Sequence, residues 1–278
     1  MSSSSEALVS TSGQGYAELR FGWRGGRTVL AYSRVEAPVA LVRPFPLADG
    51  RQLVQLITLG PGFCGGDRIR LRIAADERAG VVVTTTAATR VLSMRDGAHA
   101  EQHVEIDAAR GATIEYYPAV TIPFPHSAFA QTVRVMAAAG SRVGVMETWA
   151  LGRTARGEYL EFHSLSSRAT LHVDGALAYA DATELHPDVD PLTGAGVLAG
   201  RRYLASGFWF GATIAEPPRS GAQADDLMVA FAQSRPDIAY LRALAVDAPA
   251  LNDAMTGAAA RIAAAWGLAP VPLDRFHC

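Results

Sequence analysis

The sequence predicts a mainly β protein: a stacked, β-helix-like solenoid body of short strands with two α-helices near the C-terminus. Three observations carry that prediction. Short runs of strict polar/apolar alternation, such as Arg68-Ile-Arg-Leu-Arg-Ile73, recur along most of the chain. Segments 71–91, 104–122 and 133–151 each read as strand, small-residue linker, glycine and strand, with Gly80, Gly111 and Gly140 spaced 31 and 29 residues apart. The pattern then gives way to an alanine-rich C-terminal stretch with helical spacing. A β-sandwich of many hairpins is the alternative that the alternation alone leaves open.

Residues 1–14, MSSSSEALVSTSGQ, are rich in small polar residues and read as a disordered tail ahead of a single domain spanning 15–278. The β body is expected to run over about 15–215, and the helix-containing part over about 220–270. A fourth copy of the unit, 169–185, tightens its turn to Asp174-Gly175, a two-residue hairpin signal. The first late helix is placed over 222–233, with Asp225 and Asp226 in its first turn and Arg235-Pro236 ending it. IAYLRALAV, 238–246, returns as a strand. The second helix spans 249–267, with Leu251, Met255, Ile262 and Trp266 on one face.

Composition excludes several function classes. At 278 residues and 49% hydrophobic, the chain can bury a sizeable core, and a formal net charge of -2 leaves no electrostatic footprint for nucleic acid or an anionic membrane. All 25 basic residues are arginine, so neither a Schiff-base lysine nor a P-loop lysine exists. The two cysteines, Cys64 and Cys278, make neither a disulfide framework nor a four-thiolate zinc site, which fits a reducing cytoplasm. No signal peptide and no run of about 18 apolar residues is present.

Gly60-Pro-Gly62-Phe-Cys-Gly65 spells G-x-G-x-x-G, yet the alternating strand after it removes the helix N-terminus that a pyrophosphate needs, and Thr84-Thr-Thr86 stand where an acid is required. The stretch is read as strand, glycine turn, strand. His99, Glu101 and His103 share one face of a strand and are read as its solvated side, with a metal site as the alternative. Cys64 is expected to be a small buried turn residue, and Cys278 a mobile one. His163, His172 and His186 are isolated in the chain. No nucleophile triad signature appears. The acids Asp67, Glu115, Glu147, Glu158, Asp181 and Glu184 lie in or beside apolar strands, where a carboxylate must be paired, hydrated or metal-bound. Arg70, Arg134, Arg153 and Arg168 are the pairing candidates.

The ordered pieces GPGFCGGDRIRLRI, VVVTTTAATRVL, AEQHVEI, GATIEYYPAVTIPFPHSAFAQ, METWALGRTARGEYLEF and DGALAYADATEL resemble the UreD (UreH) family of urease accessory proteins over about residues 15–270. The resemblance implies a cytoplasmic, non-catalytic scaffold that binds apo-urease and UreF, with the GTPase UreG joining through UreF, and a polar route by which nickel(II) passes to urease. It implies no tightly bound cofactor. Carried over by motif, Asp67, Glu147, Asp181 and Glu184 are candidates for lining the nickel path, with Thr84, Thr85 and Thr86 nearby. Oxygen ligands hold nickel loosely enough for transit. The two late helices are expected to form part of the partner surface. The rival from another class is a small-molecule enzyme with a metal or nucleotide site in a β-rich fold; a solenoid interaction module without a metal role is the third.

Overall fold

A computed structural model describes residues 13–214, 222–224 and 226–273. The chain begins with a hairpin of β1 (Gln14–Arg24) and β2 (Arg27–Glu36), followed by β3 (Val39–Leu41), β4 (Phe45–Pro46) and β5 (Gln52–Thr58). The coils follow. The first contains β6 (Arg68–Ala75), β7 (Gly80–Thr85) and β8 (Thr89–Val91); the second β9 (Ala100–Ala108), β10 (Thr113–Tyr116) and β11 (Thr121–Pro123); the third β12 (Ala128–Ala137) and β13 (Arg142–Ala150). A last rung is the hairpin of β14 (Ser164–Val173) and β15 (Ala176–Leu185), after which come β16 (Tyr203–Phe210), β17 (Ala222–Ala224), β18 (Leu227–Arg235), β19 (Ile238–Ala245) and the helix α1 (Ala248–Ala265).

Parallel pairing decides between solenoid and sandwich. β6, β9, β12 and β14 lie side by side in parallel, β7, β10 and β13 do the same across the core, and β8 pairs with β11 on a third side. Each coil therefore rests one rung above the last, about 4.8 Å away. Antiparallel β1–β2 and β15 complete the first sheet, while β3, β5, β16, β19, β18 and β17 extend the second.

The corner between the two sheets repeats in every coil. Ala79, Ala112 and Ser141 donate backbone bonds to Asp76, Ala109 and Ala138, and Ala109 and Ala138 donate to Ala75 and Ala108 of the preceding coil. The corner residue takes a left-handed conformation: Gly111 at φ 72°, Gly140 at φ 82°, and Arg78 at φ 68°. The repeat seen in the sequence is thus two positions out of phase in the first coil. Gly80 is not the corner; it opens β7, where a side chain would meet Arg51 Cγ at 2.6 Å. Asp174 and Gly175, at φ 49° and 85°, form the expected tight hairpin turn.

Inward side chains from both sheets, including Phe21, Ile73, Ile106, Val135, Val83, Ile114 and Phe208, make one core. A second core lies on the far side of the second sheet, where Leu251, Met255 and Ile262 of α1, with Trp266 just after it, cover Leu53, Val82, Trp209 and Leu241. Asp247 caps α1 by accepting from the Ala250 amide at 2.9 Å, and Gly267 at φ 68° ends it. The second expected helix is correct.

The first is not. Residues 222–224 and 227–235 are strands, and β18 pairs antiparallel with β19 through a turn at Arg235-Pro236-Asp237. Leu227, Val229 and Phe231 recur at a period of two, with branched and aromatic side chains, and that period outweighs the acids ahead of it. The β body consequently reaches Ala245. Gln14, assigned to the tail, already belongs to β1; residues 1–12 and Cys278 lie outside the described residues. Among those described, no helix is long and apolar enough to cross a membrane.

Two glycines give opposite expectations in urea denaturation. Gly140→Ala should lower the unfolding free energy by about 1 kcal/mol, because alanine is disfavoured at its corner φ. Gly257→Ala, in the open middle of α1, should raise it by a similar ~1 kcal/mol.

Candidate functional site

The inward phase of the coil strands is apolar except at one level. Gln102 of β9, Gln131 of β12, Ser167 of β14 and Thr183 of β15 are direct neighbours across the first sheet. Facing them, Glu147 of β13, Ser206 of β16 and Arg242 of β19 are neighbours across the second. The two rows bond to one another. The Glu147 carboxylate accepts from Gln131 Nε2 and from Ser167 Oγ at 2.8 Å, Gln102 Nε2 donates to Tyr116 Oη at 3.1 Å, and Arg242 donates to Thr183 Oγ1 at 3.2 Å and to Asp181. A polar seam therefore crosses the molecule between its sheets.

Glu147 is only 5% exposed. Burial, the largest influence, pushes its carboxyl above the ordinary range; Ser167 and Gln131 act against it, Asp181 adds to it and Arg242 opposes it. Burial also raises the Tyr116 hydroxyl, with Glu147 contributing. Beside this carboxylate is a cavity of about 20 Å³, room for about one water, lined by Thr85, Thr89, Gln102, Tyr116, Gln131 and Glu147. Two larger openings border it. One, of about 210 Å³, lies at the glycine turn and shares Thr58, Thr85 and Thr89 with the cavity. The other, of about 390 Å³, is a mostly apolar pocket beside α1 that shares Pro118, Ala119 and Thr148.

The path candidates divide accordingly. Glu147 lies in the seam, Asp181 joins it through Arg242, and Thr85 lines the cavity. Thr86 lies at the glycine-turn opening, whereas Thr84 follows Val82 toward the helix layer. Asp67 is apart: its carboxylate accepts from the Gly13 amide at 2.6 Å and the Cys64 amide at 2.7 Å, clamping the turn to the start of β1. Glu184 is exposed and pairs with His186 at 3.0 Å; three residues from Asp181 on one strand, it leaves from the opposite face.

Other expectations resolve similarly. Arg153 does pair with Glu158, but Glu115 finds Arg51 and Asp181 finds Arg242, partners far away in sequence. Cys64 is exposed rather than buried, and partial desolvation together with Asp67 raises its thiol, so it is no activated nucleophile. Glu101 accepts from Arg68, His99 and His103, which hold its carboxyl down at about 2. Among the described residues no three His, Cys, Asp or Glu are arranged so that they could hold a metal ion.

Reading acids alone missed Gln102, Gln131, Ser167, Ser206 and Arg242. A signal was present: in Ala100-x-Gln102-x-Val104, Phe129-x-Gln131-x-Val133 and Leu165-x-Ser167-x-Ala169 a polar residue interrupts the inward apolar phase at the same level.

A family model described as UreD urease accessory protein matches residues 13–277. The chain belongs to that family. Similar curated proteins include the urease accessory protein UreD of Deinococcus radiodurans, 34% identical over 86% of both chains, and UreD 1 of Synechococcus sp., 39% identical over 69% of this chain and 72% of the other. UreD 2 of Streptomyces griseus is 34% identical over 70% and 68%. UreD proteins are urease accessory proteins rather than catalytic enzymes, which agrees with the non-catalytic reading of the sequence.

A second buried charge system lies under α1. Arg51, 4% exposed, bonds Glu115, 1% exposed, together with Asp49 and the Ala269 carbonyl, which it meets at 2.5 Å. Burial raises the Glu115 carboxyl to about 6 while Arg51 pulls it down. Arg51→Met should cost about 3–5 kcal/mol in urea denaturation at pH 8, because Glu115 is left buried without its cation. A raised carboxyl pKa favours the fold at low pH and loses that contribution as pH rises. The deficit should therefore shrink between pH 8 and 5.

Proposed function

We propose that this chain is a scaffold of urease maturation that binds apo-urease and UreF, with UreG recruited through UreF, and guides nickel(II) along its polar interior toward the urease active site. The observation that carries the reading is the buried Glu147 carboxylate beside a water-sized cavity between two surface openings. A conduit needs a level where a dication meets oxygen donors without being trapped. Glu147, Thr85, Thr89, Gln102, Gln131 and Tyr116 offer carboxylate, hydroxyl and amide oxygens, with no imidazole or thiolate among the lining groups. Nickel binds the deprotonated carboxylate, and burial raises the Glu147 carboxyl, so loading is expected to weaken as pH falls.

Arg242 argues for the direction of the route. Its guanidinium, paired with Asp181, closes the end of the seam beside β15, and a fixed cation there repels a dication. The proposed route runs instead between the glycine-turn opening and the pocket beside α1. Asp67 supports the first opening by holding its turn. The surface used by UreF or urease is proposed to include α1 and the β18–β19 hairpin, whose β18 stands where the first late helix was expected.

Glu147→Gln keeps the volume and removes the charge. In cells carrying the urease gene cluster with this gene deleted, the wild-type chain should restore urease activity and nickel content. The variant should still co-purify with urease yet restore at most about a tenth of the nickel, on the scale of losing a metal-site group. Full restoration by the variant would sink the conduit while leaving the scaffold. No effect of the deletion would sink both.

A further inference from the structure

The coil ladder stacks the outward residues of the first sheet as it stacks the core. On β6, Arg68, Arg70 and Arg72 leave from one face, a like-charge row that repels itself. In register beside them, His103 and Thr132 continue the level of Arg70, and Glu105 and Arg134 continue that of Arg72. Over these two levels lies an opening of about 590 Å³, whose polar lining is Arg70, Arg72, His103, Glu105, Thr132 and Arg134, with Tyr16 of β1.

The acids of this face are already engaged. Glu105 pairs with Arg72 at 3.0 Å, and Glu101 with Arg68 at 2.7 Å. Glu18, opposite Arg72 on β1, accepts from the Tyr16 hydroxyl at 2.9 Å. Asp107 is a level further along β9, opposite Met136, and its charge is shared by Arg72, Arg134 and Arg20. The floor is fixed as well: His103 bonds Thr132 Oγ1 at 2.8 Å through Nδ1 and Glu101 at 3.1 Å through Nε2. Arg70 and Arg134 are exposed and make no ion pair or hydrogen bond among the described residues.

We propose that this opening is a binding site for a phosphate group, held between the Arg70 and Arg134 guanidiniums. The two come from different strands and different levels, and each can fork onto an oxyanion. Their two charges match the roughly -1.5 to -2 that a phosphate carries at pH 7. A tetrahedral phosphate presents oxygens to both sides at once, whereas a planar carboxylate presents its two oxygens along one edge and suits a single fork. A merely solvated face would pair Arg134 with Glu105, its direct neighbour, yet Glu105 turns to Arg72 and leaves Arg134 free. The chain as a whole carries a formal charge of -2, so these cations are a local feature and not part of a generally basic surface. The proposal does not depend on the urease reading, since the opening is on the outer face of the first sheet and the Glu147 seam on its inner one.

The test is calorimetric titration of the tag-free full chain, in a phosphate-free buffer of fixed ionic strength, with inorganic phosphate and, separately, with phenyl phosphate. Saturable binding at a single site is expected. Arg70→Gln and Arg134→Gln should each weaken it at least about tenfold, the scale of losing a charge-assisted hydrogen bond. Glu105→Gln, which removes the nearest negative charge, should tighten it. Arg24→Gln, which removes an exposed arginine from the far end of β1, should leave it unchanged. Circular dichroism and the urea midpoint report whether each variant is folded. Binding of both ligands supports a site for the phosphate group of a larger molecule, and binding of inorganic phosphate alone supports a site for the free ion. The proposal is overturned if the wild type binds neither ligand, if Arg70→Gln and Arg134→Gln bind as the wild type does, or if Arg24→Gln weakens binding as much as they do. An oligo-aspartate peptide that binds with the same sensitivity to Arg70 and Arg134, where neither phosphate does, would make this an acidic-protein surface and would overturn it too.

Discussion

Everything in this molecule depends on the parallel ladder that sets one coil on the next. Because Ala75, Ala108 and Ala137 each accept from the first turn residue of the following coil, equivalent positions lie one rung apart and point the same way. Apolar residues at those positions give a continuous core. A polar residue in one coil would be an isolated defect, but polar residues at the same level in three coils become a row. The Gln102–Gln131–Ser167 row exists for that reason, and the second sheet answers it with Glu147, Ser206 and Arg242.

Buried polar rows are costly unless satisfied, since each unpaired group forfeits its hydration. Here the two sheets satisfy one another across the core, and the remaining space holds about one water. The interior is thus polar without being loose. A fully apolar core between the same sheets would pack at least as well, so the seam is a feature that stability alone does not require. The charged system of Arg51, Asp49 and Glu115 differs in kind. It ties the second sheet to the segment after α1 through Ala269.

Much of the fold was legible in the sequence because local rules act over a few residues. Alternation exposed the strands, Asp174-Gly175 the hairpin, and the spacing of Leu251, Met255, Ile262 and Trp266 the helix. The 222–233 segment failed where two local signals conflicted, acids at its start against a period of two in Leu227, Val229 and Phe231. The site was less legible. Glu147 and Asp181 were found as acids in apolar strands, but whether they meet is a question of register between strands far apart in sequence. Asp67 is held by two backbone amides, and Glu184 leaves from the outer face of its strand.

The central claim is that the interior level at Glu147 admits nickel. Anomalous diffraction at the nickel absorption edge, from crystals of this chain soaked in nickel, tests it most directly. The account predicts a peak in the cavity between Tyr116 and Glu147, within bonding distance of the carboxylate and surrounded by oxygen donors. An interior without a peak, at a nickel concentration that fills surface positions, would contradict it.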